Sequence, residues 1–204
     1  MQAVEAAFLA VTEVHQLMSF HEAESDVSRI NRSDELVPIA ISPLTYEVLL
    51  FAEQVSKASG GAFDVTIASH MVDAHFLPYP VEASSVARNT SYRDVCLPSQ
   101  NRLLLKKRLW MDLGGIAKGY AVDCAVATLQ AFGVESGLVN AGGDLRFFGQ
   151  PQAIKIRHPN APTSFVDLGL LANCAVATSA GTFSGDCYRR PKIDSLKLRV
   201  PIEN

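Results

Sequence analysis

The sequence predicts an α+β fold, with mostly antiparallel sheets packed against helices. Two observations carry this expectation. The first half holds helical patterns with clear end signals. After a single glycine-opened helix, residues 137–179 hold five short β-rich runs separated by turn residues. Strands spaced that closely are joined by tight turns only when neighbours run antiparallel.

The opening stretch, MQAVEAAFLAVTEVHQLM, sets Val4, Phe8, Val11, Val14 and Met18 at helical spacing. It predicts an amphipathic helix with that stripe turned inward. It is not a signal peptide, because it lacks a basic start and Glu5, Glu13 and His15 interrupt its apolar run. A polar segment, SFHEAESDVSRIN, follows. VPIAI (37–41) reads as a short strand. Ser42 and Pro43 then mark a helix start, since proline has no N–H to leave unpaired there. That helix runs to about Ser59, where Gly60 and Gly61 stop it. Residues 68–100, with Pro78, Pro80 and Pro98, are expected to be irregular. LLLKKRLWMDL (103–113) predicts two short strands around a basic turn. Gly114 and Gly115 open the next helix and Gly133 closes it. Strands are expected at 137–141, 144–149, 153–158, 165–171 and 174–179. The tail, RRPKIDSLKLRVPIEN, shows no closing helix or strand pair and is expected to leave a sheet edge open.

The chain has 204 residues, 48% of them hydrophobic, enough for one or two ordinary domains. Net charge is −3 with both signs mixed along the chain, so nucleic acid is not an expected partner. No apolar run reaches the ~18 residues of a membrane span. Cysteines at 96, 124, 174 and 187 form no CxxC pair and no zinc-like spacing with histidine.

Three glycine-containing segments stand out: GGAFDVT (60–66), DLGGIAKGYAVD (112–123) and VNAGGDL (139–145). A glycine pair lets backbone N–H groups approach an anion closely, and a helix start adds partial positive charge. Lys118, in the first turn of its helix, adds a full charge. The second segment therefore reads as a pyrophosphate cradle or, equally, as a plain strand-to-helix turn. No GxGxxG opens a helix after a strand, so a dinucleotide of the NAD type is not expected.

Taken in order with LMSFHEAESDVSRIN (17–31) and NCAVATS (173–179), these segments resemble the ApbE family of FAD:protein FMN transferases over roughly 17–190. The resemblance implies an ApbE-like fold in one domain over 1–204, incomplete at both ends. It implies FAD as substrate and magnesium as metal, with FMN passed to a Thr or Ser hydroxyl of a target protein and AMP released. Phe20 stands where the family has an aromatic residue beside the flavin nucleotide. Ala62, Phe63 and Asp64 match its FAD-contacting Ala-Phe-Asp, although Asp64 also reads as a turn cap. Gly114 and Lys118 match the pyrophosphate and metal loop, and Tyr120 is expected to line the same pocket or the core. Ala117 matches a residue whose carbonyl ligates the metal. Asn140, Gly142, Gly143 and Asp144 match a turn that shapes the site, and Thr178 and Ser179 a strand end near the flavin.

Three departures accompany the resemblance. A preceding Met-Gly-Thr strand and a following Ala-Asp-Ala-like segment with metal-binding Asp and Thr are not in this sequence. Pro191 stands where the family often has a His; Asp186 and Tyr188 lie nearby as substitutes, and the catalytic residue stays unassigned. Residues 1–204 alone are accordingly expected to lack transfer activity. Two other readings remain: a flavin-binding protein without transfer activity, and an FAD pyrophosphatase. The resemblance further implies a target in a membrane redox complex and a periplasmic or membrane-associated setting, while the absence of an export signal leaves the cytoplasm open.

Overall fold

The computed structural model describes residues 1–33, 36–80, 85–158 and 161–177. The expectations for Thr178, Ser179, Asp186, Tyr188, Pro191, Cys187 and the tail lie outside these residues.

Five α-helices and eight strands occur among the described residues. Helix α1 (Gln2–Met18) leads into α2 (Asp26–Arg32), β1 (Ile39–Ala40) and α3 (Pro43–Ala58). A 3-10 turn (Val65–Ile67) runs into α4 (Ala68–Asp73). A second 3-10 turn (Tyr92–Asp94) precedes β2 (Val95–Ser99) and β3 (Arg102–Leu105). Helix α5 (Ala117–Ala131) is followed by β4 (Gly137–Ala141), β5 (Asp144–Phe148), β6 (Gln152–His158), β7 (Ala161–Leu171) and β8 (Ala175–Ala177). Every strand pair is antiparallel. The sheets run β1-β3-β2, β4-β5-β8 and β6-β7.

The predicted cap of α3 is in place, and α2, in a segment read only as polar, starts with a cap of its own. Ser25 Oγ accepts from Ser28 N at the start of α2, and Ser42 Oγ accepts from Leu44 N at the start of α3, with Pro43 in its first turn. The buried Asp26 carboxylate ties the two helices together. One oxygen accepts from Ser42 N at 2.8 Å and Thr45 Oγ1 at 2.7 Å, and the other from Arg29 at 2.9 Å.

Four expectations are corrected. The span 68–100 contains α4, a 3-10 turn and β2. Pro98 had argued against a strand, but β2 lies at the edge of its sheet and its register slips between Cys96 and Ser99, where a missing N–H costs least. Residues 103–113 form one strand, not two. After Leu105 the chain bends at residues 106–107 and then enters the core as an irregular segment without a sheet neighbour, with Leu109, Trp110, Met111 and Leu113 buried. The stripe on α1 faces inward only in its second half: Val14 and Met18 are buried, whereas Val4 and Phe8 are exposed. The first strand is shorter than 37–41, holding only Ile39 and Ala40.

The strap 109–113 owes its position to side-chain and long-range backbone bonds. Asn31 Nδ2 donates to Met111 O at 2.9 Å, and Met111 N donates to Asn31 Oδ1 at 2.8 Å. Asp112 N donates to Val65 O at 2.8 Å. A carboxamide thus supplies the donor and acceptor that a neighbouring strand would have offered, as buried backbone requires. Around the strap packs the main core, including Val14, Val27, Ile30, Val48, Leu103 and Leu105.

Asn31→Ala leaves the Met111 N–H and C=O buried without those partners. We expect it to lower unfolding free energy by about 2–4 kcal/mol, read as a shift in the urea midpoint. An unchanged midpoint would show that the strap holds its place through apolar packing alone.

Candidate functional site

The strap delivers the glycine pair Gly114–Gly115 to the start of α5, where a side chain at either position would fit tightly. A Cβ on Gly115 would sit 3.2 Å from Phe63 Cε2, and one on Gly114 would sit 3.0 Å from Asp112 Oδ2. The segment 60–66 and the segment 112–118 therefore lie against each other, as the bond from Asp112 N to Val65 O also requires. Phe20, Phe63, Ala117 and Tyr120 all belong to or pack on the same apolar cluster. Phe20 is buried, its ring edge-on to His21 with centroids 6.2 Å apart. Ala62 is exposed and the next residue, Phe63, is half-buried.

Asp64 is engaged with the protein itself. Oδ1 accepts from Thr66 N and Thr66 Oγ1, each at 2.8 Å, and Oδ2 accepts from Tyr92 N at 2.9 Å. It caps the 3-10 turn and straps that turn to residues 28 positions further on. A carboxylate has about four acceptor sites, so one more partner can be accommodated. Replacing Asp64 reaches fold stability as well as any ligand.

The helix start has no side-chain cap. Its N-cap is Ile116, whereas α2 and α3 begin with capping serines. No side chain caps the leading N–H groups of α5, but Ile116 N and Ala117 N donate to Leu113 O at 3.0 and 2.8 Å, which leaves Lys118 N and Gly119 N as the uncapped pair. Lys118 stands in the first turn, as predicted, and its Nζ lies 3.4 Å from Asp144 Oδ2. This contact brings the second and third glycine segments together. The third is a two-residue hairpin: Ala141 pairs with Asp144, and Gly142 and Gly143 turn at φ +62° and +102°. Positive φ at both positions is the glycine demand of such turns. Asn140 Oδ1 accepts from Gly143 N at 3.0 Å and closes the turn. A second ion pair, Arg146 to Asp123 at 2.7 Å, binds β5 to α5 further along.

Tyr120 donates to Glu47 Oε2 at 2.6 Å, tying α5 to α3. Burial and the Glu47 carboxylate push its phenol far above the ordinary range, and burial likewise raises the Cys124 thiol. Asp112 had no role in the sequence reading although it opens the glycine segment. Its carboxyl is raised by burial, opposed by hydrogen bonds from Gly114 and Leu113 and by the nearby His21. Among the described residues no three His, Cys, Asp or Glu side chains gather where a cation could sit. The described cavities lie elsewhere. One of about 20 Å³ is lined by Ser56, Val65, Tyr92 and neighbours, and an open concavity of about 670 Å³ is bounded by residues 72–79. The glycines themselves line neither cavity, although Val65 of the segment 60–66 borders the smaller one.

Comparison with known proteins finds a family. The model of the ApbE family matches residues 1–185. An FAD:protein FMN transferase of Vibrio cholerae is 31% identical over 209 residues, covering 94% of this chain and 63% of the relative. One of Chlamydia muridarum is 27% identical over 185 residues, covering 83% and 56%. The crystal structure of the ApbE protein from Thermotoga maritima superposes with a TM-score of 0.75 at 27% identity, covering 87% of this chain and 62% of that one. The flavin transferase ApbE from Vibrio cholerae gives the same score, identity and coverage. The chain spans about 56–63% of the length of the curated relatives named here.

Because burial raises the Asp112 carboxyl, the fold favours its protonated form. That contribution is fully present below the ordinary value of 3.8 and is lost as pH rises through the higher folded value. At neutral pH the ionised group is a burden that asparagine lacks. We expect Asp112→Asn to be more stable than wild type at pH 7, with the gap closing as pH falls through the raised folded value and gone below 3.8. Wild type matching or exceeding the variant in urea titrations at pH 7 would mean that Gly114, Leu113 and His21 outweigh burial.

Proposed function

This chain belongs to the ApbE family, and from that premise we propose that the protein transfers the FMN half of FAD to a Thr or Ser hydroxyl of a flavoprotein target, releasing AMP. The observation that carries the reading is the start of α5. Gly114 and Gly115 bring backbone close, Ile116 offers no capping side chain, and Lys118 adds a cation beside the leading amides. A diphosphate fits that arrangement, because helix-start N–H groups and an ammonium both favour anions. Phe63 lies beside Gly115 and offers an apolar side on which a flavin or adenine ring system would rest.

In the proposed reaction the acceptor oxygen attacks the FMN phosphorus. The bond from that phosphorus to the bridging oxygen breaks, and AMP leaves with the bridging oxygen and the electron pair. The hydroxyl proton passes to a base that remains to be assigned; the family's His position is Pro191 in this sequence. Phosphoryl transfer asks the protein mainly to align reactants and to compensate charge. Lys118 and the first amides of α5 serve the second task, and the rigid glycine turns the first.

Magnesium enters this proposal from the resemblance alone, with the Ala117 carbonyl as one ligand. The described residues add no carboxylate cluster around a point, and a single neutral carbonyl does not hold magnesium against water. No step above is routed through it. The acceptor, by the same resemblance, is a subunit of a membrane redox complex. No helix among the described residues is long and apolar enough to cross a membrane.

The test incubates the full-length protein with FAD, magnesium chloride and a candidate acceptor subunit, followed by intact-mass spectrometry. The expected result is an acceptor heavier by one FMN, with AMP released in equal amount. FMN and AMP free in solution without an adduct would replace transfer by hydrolysis. FAD bound and unchanged would reduce the protein to a flavin carrier.

A further inference from the structure

We propose that Asp144 is a positioning residue, whose carboxylate holds the Lys118 ammonium over the start of α5 for the diphosphate of the incoming substrate. The proposal rests on the flavin-transfer reading above.

Lys118 breaks a local rule. A cation in the first turn of a helix faces the partial positive charge of that terminus and costs stability there. Such a violation needs a compensating partner or a use. Asp144 is the partner: its oxygen lies 3.4 Å from Nζ, and its side chain is 22% exposed against 59% for the lysine. The lysine stem is long and flexible, and carries about 2 kcal/mol of rotamer entropy. Left alone it would sweep through solvent. Asp144 sits at the first position of β5, directly after the Gly142–Gly143 turn that Asn140 closes. A short side chain on a closed hairpin tethers a long one on the facing helix.

The contact is not needed to dock the hairpin. Arg146 to Asp123, at 2.7 Å, already binds the same strand to the same helix with the charges reversed. The 3.4 Å contact is looser than the ~2.7–2.9 Å of a tight charge-assisted bond. The contact is an ion pair and uses none of the ammonium's three donors as a hydrogen bond, so they are available to phosphate oxygens. The carboxylate sets where the charge is, and the lysine touches the substrate.

The test is a double-mutant cycle in the full-length protein, reading FAD affinity by flavin fluorescence and transfer rate with saturating FAD and acceptor. Asp144→Asn is expected to lower the transfer rate about 10- to 100-fold while changing FAD affinity less than threefold. Lys118→Met is expected to weaken both. The double variant is expected to be no slower than Lys118→Met alone, because a tether without its lysine has nothing to hold. Arg146→Gln, the docking control, is expected to lower the unfolding midpoint and to leave the rate within twofold. If Asp144→Asn slows transfer by the same factor with and without Lys118, Asp144 acts through the fold and the positioning role is overturned. If Arg146→Gln slows transfer as much as Asp144→Asn, hairpin docking is the cause and the proposal falls. A wild-type protein that binds no FAD would remove the functional reading and this proposal together. A wild type that transfers FMN, with multiplicative factors, would remove this proposal only.

Discussion

Two hydrogen bonds between the Asn31 carboxamide and the Met111 backbone hold the part of the molecule on which the rest depends. They join residues 80 positions apart. The strap they fix has no strand beside it, and its backbone would otherwise be buried unpaired. One residue on, Asp112 N reaches Val65 O and draws the segment 60–66 against the strap. Two residues further, the glycine pair turns the chain into α5. The position of that helix start relative to Phe63, Phe20 and α3 therefore follows from a polar contact inside an apolar core. Neither helix propensity nor sheet register could fix it.

The electrostatics of the proposed site follow from the same geometry. Lys118 stands in the first turn of α5, among its leading amides in sequence. Asp112 lies just before them, its carboxyl raised by burial and accepting from Gly114 and Leu113. Asp144 approaches from the hairpin side. The site is thus not a uniformly positive cup. It is a helix start with one cation paired to Asp144, with Asp112 as a second carboxylate just before the helix.

Much of this was legible in the sequence, and the parts that were not share a cause. Helix starts at Ser42-Pro43, the helix end near Gly133 and the hairpin around Gly142–Gly143 are local signals, and each lies where its residues place it. The strand Val95–Ser99 was hidden by Pro98, because a sequence does not say which strand will be at an edge. The strap 109–113 has the apolar richness of a strand, yet its partner is a side chain far away in sequence. Val4 and Phe8 have the spacing of a buried stripe, but spacing does not say whether anything covers them. The candidate site was recognisable from its ordered glycine segments. The three acceptor bonds of Asp64, the pairing of Lys118 with Asp144 and the burial of Asp112 were not, since each depends on residues brought together only by the fold.

The central claim is that the diphosphate of FAD sits at the start of α5, between the two glycine turns. A crystal structure of the full-length protein grown with FAD tests it most directly. The account predicts diphosphate density against the leading amides of α5, within hydrogen-bond reach of Lys118 Nζ, with Asp144 still holding that lysine. Diphosphate density in the concavity bounded by residues 72–79, with Lys118 pointing into solvent, would contradict it.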